Sequence, residues 1–185
     1  MIIFEGPDGA GKTTLIKHIA EKYDLVVAPR VVGTDTTPMV DLREWVENNL
    51  ATDKIASPLG MVGSTIFDRH RLISEPIYSL AIGGPRDERF WDLEWLKVSF
   101  DKFYDLQPLV VWCMPPLKTV IQNCLDESND FVRPFIPKIY RGYMAEVARW
   151  AAIGSAYQLT YDYTTHNLDN WTDKFDEIYR YWRDR

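Results

Sequence analysis

Short apolar runs alternate with stretches of helical periodicity along the chain. The runs at 2–5, 25–28, 64–67, 109–114 and 156–161 predict five strands. The fourth run is apolar throughout, which is typical of a parallel strand that is buried on both faces. Apolar residues three and four positions apart predict helices at about 12–23, 40–50, 91–106, 117–125 and 137–151, a further helix that ends near 82, and a last one around 175–182.

Strands that alternate with helices in this way predict an α/β fold. We expect one domain over residues 1–185, in which about five parallel strands form a middle layer with helices on both faces. Two helices show a clear apolar face. The helix near 40–50 should bury the set Leu42, Trp45, Val46 and Leu50, and the helix at 91–106 should bury the set Leu93, Leu96, Phe100 and Phe103.

Composition and charge narrow the class of protein. Hydrophobic residues make up 46% and charged residues 26%, which is typical of a globular chain rather than a disordered one. The net charge of −6 argues against a broad basic surface that follows a nucleic-acid backbone. Cys113 and Cys124 lie in apolar segments, so we expect free thiols in a reducing compartment. Since there is no 18-residue apolar run and the first strand leads straight into a loop motif, we expect a soluble cytoplasmic protein without a signal peptide.

The loop after the first strand fits the pattern G-x-x-x-x-G-K-[ST], with Gly6, Gly11, Lys12 and Thr13 at the defined positions. Glycines let backbone N–H groups curl around a phosphate, and the helix that follows directs its positive dipole end at the same anion. Such a lysine reaches the β- and γ-phosphates, and such a threonine hydroxyl ligates Mg²⁺. The sequence therefore predicts a site for ATP and Mg²⁺ that consists of Gly6, Gly9, Ala10, Gly11, Lys12, Thr13 and Thr14.

Three segments resemble those of thymidylate kinases. Residues 4–14 are similar to the opening of that family, including the acidic Asp8 within the loop. Residues 30–34 are similar to its arginine-containing segment after the second strand. Asp68-Arg69-His70, followed by Ser74 and Tyr78, is similar to its Asp-Arg segment, although the spacing from Arg69 to Ser74 is one residue longer. The resemblance implies a three-layer P-loop kinase fold and ATP-dependent phosphoryl transfer.

The resemblance also implies roles for individual residues. Asp8 would lie near the sugar or hydroxyl of the acceptor, and Asp68 would hold Mg²⁺ through water or help to take the acceptor's proton. Arg69 would neutralise charge on a phosphate, and Arg30 would grip the acceptor. With Lys12, the catalytic candidates are thus Asp8, Asp68 and Arg69, and Thr13 and Asp68 are the metal candidates. Since Asp8, Arg30 and Asp68 each follow a predicted strand, a common site beyond the carboxyl ends of the strands is expected.

Further candidates follow from position alone. The substrate-binding candidates next to the Asp-Arg pair are His70, Ser74 and Glu75. Nucleotide kinases close a basic lid over the phosphates to exclude water. We expect such a lid at about 126–136, with Arg133 and Arg141 as its arginines, although this segment is not densely basic.

Three functions are compatible with these features. The first is a deoxynucleoside monophosphate kinase that is thymidylate-kinase-like and acts on a pyrimidine deoxynucleotide. The second is a kinase of 5-hydroxymethyluracil in DNA, because residues 74–78 also resemble phage-encoded proteins related to thymidylate kinases. DNA is a partner only under this alternative. The third is a non-catalytic nucleotide-binding or NTPase switch module. The sequence predicts no membrane partner, allows a homodimer, and leaves the base and the number of subunits open.

Overall fold

A parallel sheet of five strands forms the middle layer of the protein. The computed structural model describes residues 1–28, 42–56, 65–83, 92–126, 131–154 and 157–184. Its strands are β1 (Ile2–Glu5), β2 (Val26–Val27), β3 (Thr65–Asp68), β4 (Leu109–Cys113) and β5 (Gln158–Tyr161). They pair in the order β2-β3-β1-β4-β5, and each pair is parallel. The predicted sheet is confirmed.

Seven α-helices surround the sheet within the described residues. They are α1 (Lys12–Tyr23), α2 (Leu42–Ala56), α3 (Arg71–Ile82), α4 (Leu93–Asp105), α5 (Leu117–Asp126), α6 (Ile136–Ile153) and α7 (Leu168–Arg183). A short 3-10 helix (Arg133–Phe135) leads directly into α6. Each α-helix matches a predicted one, although α2 ends six residues later and α7 begins seven residues earlier than predicted.

The two faces of the sheet bury separate apolar clusters. Side chains alternate along each strand. Ile3, Val110 and Trp112 pack with residues of α2 to α6 on one face. Ile2, Phe4 and Val111 lie on the other face with residues of α1 and α7. Helices therefore cover both faces, and the predicted three-layer α/β architecture is confirmed.

Two elements differ from the prediction. Strand β2 has two residues instead of four, and its side chains are 66% and 41% exposed because it is the edge strand and pairs only with β3. Leu93 was expected in the core but is 80% exposed. It opens α4, whose first amides donate to the side chain of Asp92, and the buried face begins one turn later at Leu96. The predicted burial of Leu42 and Trp45 lies outside the described side chains.

None of the described helices is long and apolar enough to cross a membrane.

Candidate active site

The loop between β1 and α1 is built around glycines that no other residue replaces without strain. Gly6 has φ 148°, and a Cβ atom there would collide with the carbonyl oxygen of Cys113 on β4. Gly11 has φ 78°, and a Cβ atom there would lie 3.0 Å from the ring of Tyr163. Both backbone shapes favour glycine. The predicted phosphate motif thus forms a tight loop at the carboxyl end of β1.

Helix α1 starts within this motif. No described side chain caps its first turn, so the amides that open the helix remain available to an anion. The Thr13 and Thr14 side chains are exposed beside them. Lys12 is nearly buried, and its Nζ donates to the carbonyl oxygens of Gly6 at 2.9 Å and Pro7 at 2.6 Å. Burial, assisted by the charge of Arg69, lowers the pKa of Lys12 to about 8.

The predicted Asp-Arg pair meets this loop. Arg69 follows β3 in the left-handed conformation with φ 72°, and its amide donates to Phe4 O at 3.0 Å. Its guanidinium donates to Asp8 Oδ1 at 2.6 Å and to Gly6 O at 3.4 Å. Asp8 Oδ2 accepts from the Tyr78 hydroxyl at 2.9 Å. Asp8 and Arg69, which the sequence placed in one site, are thus in direct contact.

Charge keeps the Asp8 carboxylate ionised. Burial alone would raise its pKa, but the charges of Arg69 and Lys12 and the hydrogen bonds from Arg69 and Tyr78 outweigh it, so the pKa lies below its ordinary value. The side chains of Asp8 and Arg69 are 19% and 17% exposed, and the pair therefore reaches the surface of the site. Asp68 is the last residue of β3 and pairs with Phe4 near the end of β1, and its charge is one of the smaller effects that raise the pKa of Lys12.

Glu5 is a further acidic residue of this region that sequence analysis missed. It ends β1 immediately before Gly6 and is fully buried. Oε1 accepts from the His70 amide at 2.6 Å, and Oε2 accepts from the Tyr143 hydroxyl at 3.0 Å. Burial raises the pKa of Glu5 to about 7, against the opposing effects of the His70 amide, Arg69, Tyr143 and Lys12. The sequence did offer a signal, because Glu5 is an acidic residue at the end of an apolar strand. A charge buried there requires partners.

His70 and Ser74, which the sequence predicts as substrate contacts, have buried side chains beside the start of α3. The His70 side chain is fully buried, stacks on Phe103 at 4.7 Å and accepts from the Leu72 amide as the N-cap of α3. Ser74 is buried too, and its hydroxyl donates to the His70 carbonyl. Because α3 begins at Arg71, the residue before it serves the helix end. Their roles as substrate contacts stay predictions.

Glu75 and the lid candidates lie on or beside helices. Glu75 accepts from Ser79 Oγ at 2.9 Å and from Arg71 at 3.4 Å within α3. Arg133 donates to the carbonyl oxygens of Cys124 and Leu125 at the end of α5, at 3.3 and 3.5 Å. Arg141 is exposed on α6. Arg30 and residues 127–130 of the predicted lid lie outside the described residues, so the lid stays a prediction.

A cleft of about 410 Å³ lies along the outer side of the loop. It is lined by Gly9, Gly11, Thr14, Asn123, Tyr161 and Tyr163. Asn123 Nδ2 donates to Gly9 O at 2.7 Å and to the Tyr163 hydroxyl at 2.6 Å, which ties α5 and the segment after β5 to the loop. No sequence motif marks Asn123 or Tyr163 as part of the site. Their only signal was that Tyr163 follows a strand end, where ligands of parallel sheets bind.

Comparison with known proteins gives matches in structure alone. No protein-family model and no curated protein sequence matches the chain. The deoxyadenosine kinase from M. mycoides with bound dCTP has a TM-score of 0.57 at 16% identity, over 96% of this chain and 100% of that one. With the products dCMP and dCDP bound, the same enzyme has a TM-score of 0.57 at 16% identity, over 95% of this chain and 98% of that one. The YorR protein from Bacillus subtilis, in complex with phosphorylated GDP, has a TM-score of 0.61 at 14% identity over 100% and 98%. At such identities the likeness shows the fold, which is the three-layer α/β fold of P-loop kinases.

Proposed function

We propose that this protein is an ATP-dependent kinase that transfers a phosphoryl group to a pyrimidine deoxynucleotide, as a thymidylate kinase does. The main observation is that Arg69 touches both Asp8 and the carbonyl of Gly6. A charged pair suited to an acceptor therefore adjoins the loop suited to a triphosphate. Phosphoryl transfer needs this arrangement because its catalysis consists mostly of positioning and charge neutralisation.

The donor side consists of the loop, Lys12 and the adjoining cleft. The amides at the start of α1 bind the phosphates of ATP, and the Lys12 ammonium exchanges its bonds to loop carbonyls for bonds to phosphate oxygens. The cleft lies beside the same loop and has room for the nucleoside part of ATP. The Tyr163 ring, held by Asn123, supplies an aromatic surface there.

The residues present also fit Mg²⁺. In phosphoryl-transfer sites this ion takes one or two protein oxygen ligands and fills its other positions with phosphates and water. The exposed Thr13 hydroxyl and the carboxylate of Asp68, which ends β3 beside the end of β1, match that demand. No group of three or more His, Cys, Asp or Glu among the described residues could hold a metal alone. When bound, Mg²⁺ would neutralise charge that develops on the phosphates.

The acceptor side is centred on Asp8 and Arg69. An ionised carboxylate can only accept hydrogen bonds, so Asp8 suits a hydroxyl of the acceptor's sugar. Arg69 offers positive charge to a phosphate at the point where the loop and the acceptor meet. Arg30, Glu75 and the lid arginines Arg133 and Arg141 remain proposed contacts of the acceptor or the phosphates.

Two other functions make different demands on the site. An NTPase switch needs only the triphosphate loop, so the Asp8–Arg69 pair favours a kinase. A kinase of 5-hydroxymethyluracil in DNA would keep the same donor side and act on a hydroxyl of the base. The deoxyadenosine kinase neighbours hold dCTP, dATP, or the products dCMP and dCDP, so that enzyme binds pyrimidine as well as purine deoxynucleotides.

A transfer screen tests the proposal. Purified protein is mixed with γ-labelled ATP, Mg²⁺ and each deoxynucleoside monophosphate, each nucleoside, or DNA that contains hydroxymethyluracil. We expect label on a pyrimidine deoxynucleotide. A purine or a sugar without a base as the best acceptor would refute the pyrimidine assignment, and label found only as inorganic phosphate would refute the kinase.

A further inference from the structure

Two buried side chains behind the Asp-Arg turn form one unit. Glu5 accepts one hydrogen bond from the His70 amide and one from the Tyr143 hydroxyl, at 2.6 and 3.0 Å. Glu5 and Tyr143 are both fully buried, so neither touches a substrate. They join the end of β1, the turn after β3 and the middle of α6.

The turn that Glu5 holds carries Arg69. The Arg69 amide donates to Phe4 O at 3.0 Å, and the next amide, that of His70, donates to Glu5. Arg69 itself has φ 72°. A non-glycine residue costs free energy in that conformation and keeps it only when neighbouring bonds enforce it. Glu5 thus supplies one of the two anchors that keep Arg69 directed at the loop.

Tyr143 also supports the other side of the same guanidinium. Its ring packs edge-on against Tyr78, with ring centres 6.3 Å apart at 79°. The guanidinium of Arg69 lies over the Tyr78 ring at 4.8 Å, and Tyr78 donates to Asp8. Gly142 makes room for this contact between α3 and α6, because a Cβ atom there would lie 2.7 Å from Ile77. Two contacts therefore orient Arg69. Glu5 fixes the backbone of its turn, and the Tyr78 ring packs against its guanidinium.

We propose that Glu5 and Tyr143 are positioning residues that orient Arg69 for the acceptor, so that a hydroxyl on α6 controls acceptor turnover without contact with substrate. This inference rests on the proposed kinase function. It extends the site to a helix that no motif marks, and it assigns a task to a buried acidic group that direct contact with substrate does not explain.

Two variants that each remove one buried hydroxyl group test the inference. Tyr143→Phe removes one buried hydroxyl. Thr172→Val is the control, because Thr172 is also buried and donates to Leu168 O, but on the α7 side of the sheet. Both should lower the Tm to a similar extent. With deoxythymidine monophosphate as the acceptor, we expect Tyr143→Phe to lower kcat/KM about fivefold, the equivalent of one hydrogen bond, with the KM for ATP unchanged. Thr172→Val should leave both constants unchanged.

The decrease of kcat/KM that Tyr143→Phe causes should disappear when Arg69 is absent. In an Arg69→Ala background, for which we expect a loss of at least about a hundredfold but residual turnover, Tyr143→Phe should have no further effect on kcat/KM, since residues in one chain of contacts do not act additively. The inference is wrong if Tyr143→Phe behaves like Thr172→Val, or if its full effect persists without Arg69. A wild-type protein that transfers no label at all would instead refute the proposed function.

The pH profile gives a readout that a purely structural role would not change. Glu5 interacts electrostatically with Arg69, Lys12, Tyr143, Tyr78 and Cys113. Since burial raises the pKa of Glu5 to about 7, its carboxylate, the stronger acceptor for the His70 amide, is lost as the pH falls below 7. We expect kcat/KM to decline there. The Tyr143 hydrogen bond lowers the pKa of Glu5, so Tyr143→Phe should move the decline to higher pH, and Glu5→Gln should abolish it. An unchanged decline in Glu5→Gln contradicts the inference, and this variant serves if Tyr143→Phe does not fold.

Discussion

The donor and acceptor sides of the proposed site are built in opposite ways. The donor loop is contiguous: residues 6–14 supply the glycines, Lys12 and the start of α1. The acceptor side joins Asp8 from that loop, Arg69 from the turn after β3, and Tyr78 from α3, with Tyr143 of α6 behind them. A local site depends on backbone shape, whereas an assembled site depends on packing between elements. Mutations should therefore affect the two sides differently.

The largest effect is expected on the donor side. Lys12→Ala removes the ammonium that neutralises phosphate charge, and we expect turnover to fall by about 10²–10³ while the fold persists. Steady-state transfer assays and a thermal melt measure both quantities. Lys17→Ala is the control, because this lysine lies exposed on the same helix and pairs with Glu21 at 4.0 Å. Full activity of the Lys12 variant would contradict the assignment of the ATP site to this loop.

On the acceptor side, Asp68→Asn and Arg69→Ala should each lower turnover at least about a hundredfold, the scale for removal of one charge-stabilising group. Their kinetics should differ. Arg69→Ala should also raise the KM of the acceptor, because its guanidinium lies against Asp8, whereas Asp68→Asn should change the dependence on Mg²⁺. Arg180→Ala, at an exposed ion pair on α7, is the control. If kcat and KM stay unchanged in both variants, the Asp-Arg pair is structural.

Salt separates a free nucleotide from DNA as the acceptor. One phosphate contacts one or two arginines, so the KM of a monophosphate should change little between about 50 and 200 mM salt. A DNA acceptor with three phosphate contacts should lose roughly fortyfold in apparent affinity over that range. Since the net charge of −6 disfavours DNA, we expect the flat profile. A steep one in transfer assays would favour the DNA kinase.

The smallest effect is expected at the edge of the donor side. Asn123→Ala removes the side chain that links Gly9 to Tyr163. We expect the KM for ATP to rise about fivefold, as for one lost hydrogen bond, while the KM of the acceptor stays the same. Gln122→Ala, an exposed neighbour on α5, is the control. A change in the acceptor's KM instead would show that the cleft does not hold the donor nucleoside.

The difference between the donor and acceptor sides also explains which parts of the fold and the site could be predicted from the sequence. The sheet, the helices and the loop follow from local patterns and were predicted closely. The proximity of Asp8 and Arg69 was also predicted, because both follow parallel strands whose carboxyl ends share one edge of the sheet. The bond between Glu5 and Tyr143 spans 138 positions and depends on where α6 crosses β1. A tyrosine within an amphipathic helix looks like an ordinary core residue, so no local pattern revealed it.

The sequence predicted the positions of some side chains near helix ends less well. His70 and Ser74 follow the Asp-Arg pair in sequence, which suggested substrate contacts. Their placement was decided by the first residue of α3, since the residue before a helix caps it. Leu93 fits the apolar spacing of α4, but it lies in the first turn, before the helix reaches the core. Helix ends, which periodicity defines poorly, therefore decided these side chains.

The most direct test of the kinase proposal is the fate of the γ-phosphoryl group of ATP with and without an acceptor. The rate of ATP consumption and the labelled products are measured with Mg²⁺, in the presence and absence of deoxythymidine monophosphate. We predict that ATP is consumed rapidly only when the acceptor is present, and that the label then appears in deoxythymidine diphosphate. Equal rates of ATP hydrolysis under both conditions, with all label in inorganic phosphate, would contradict the account.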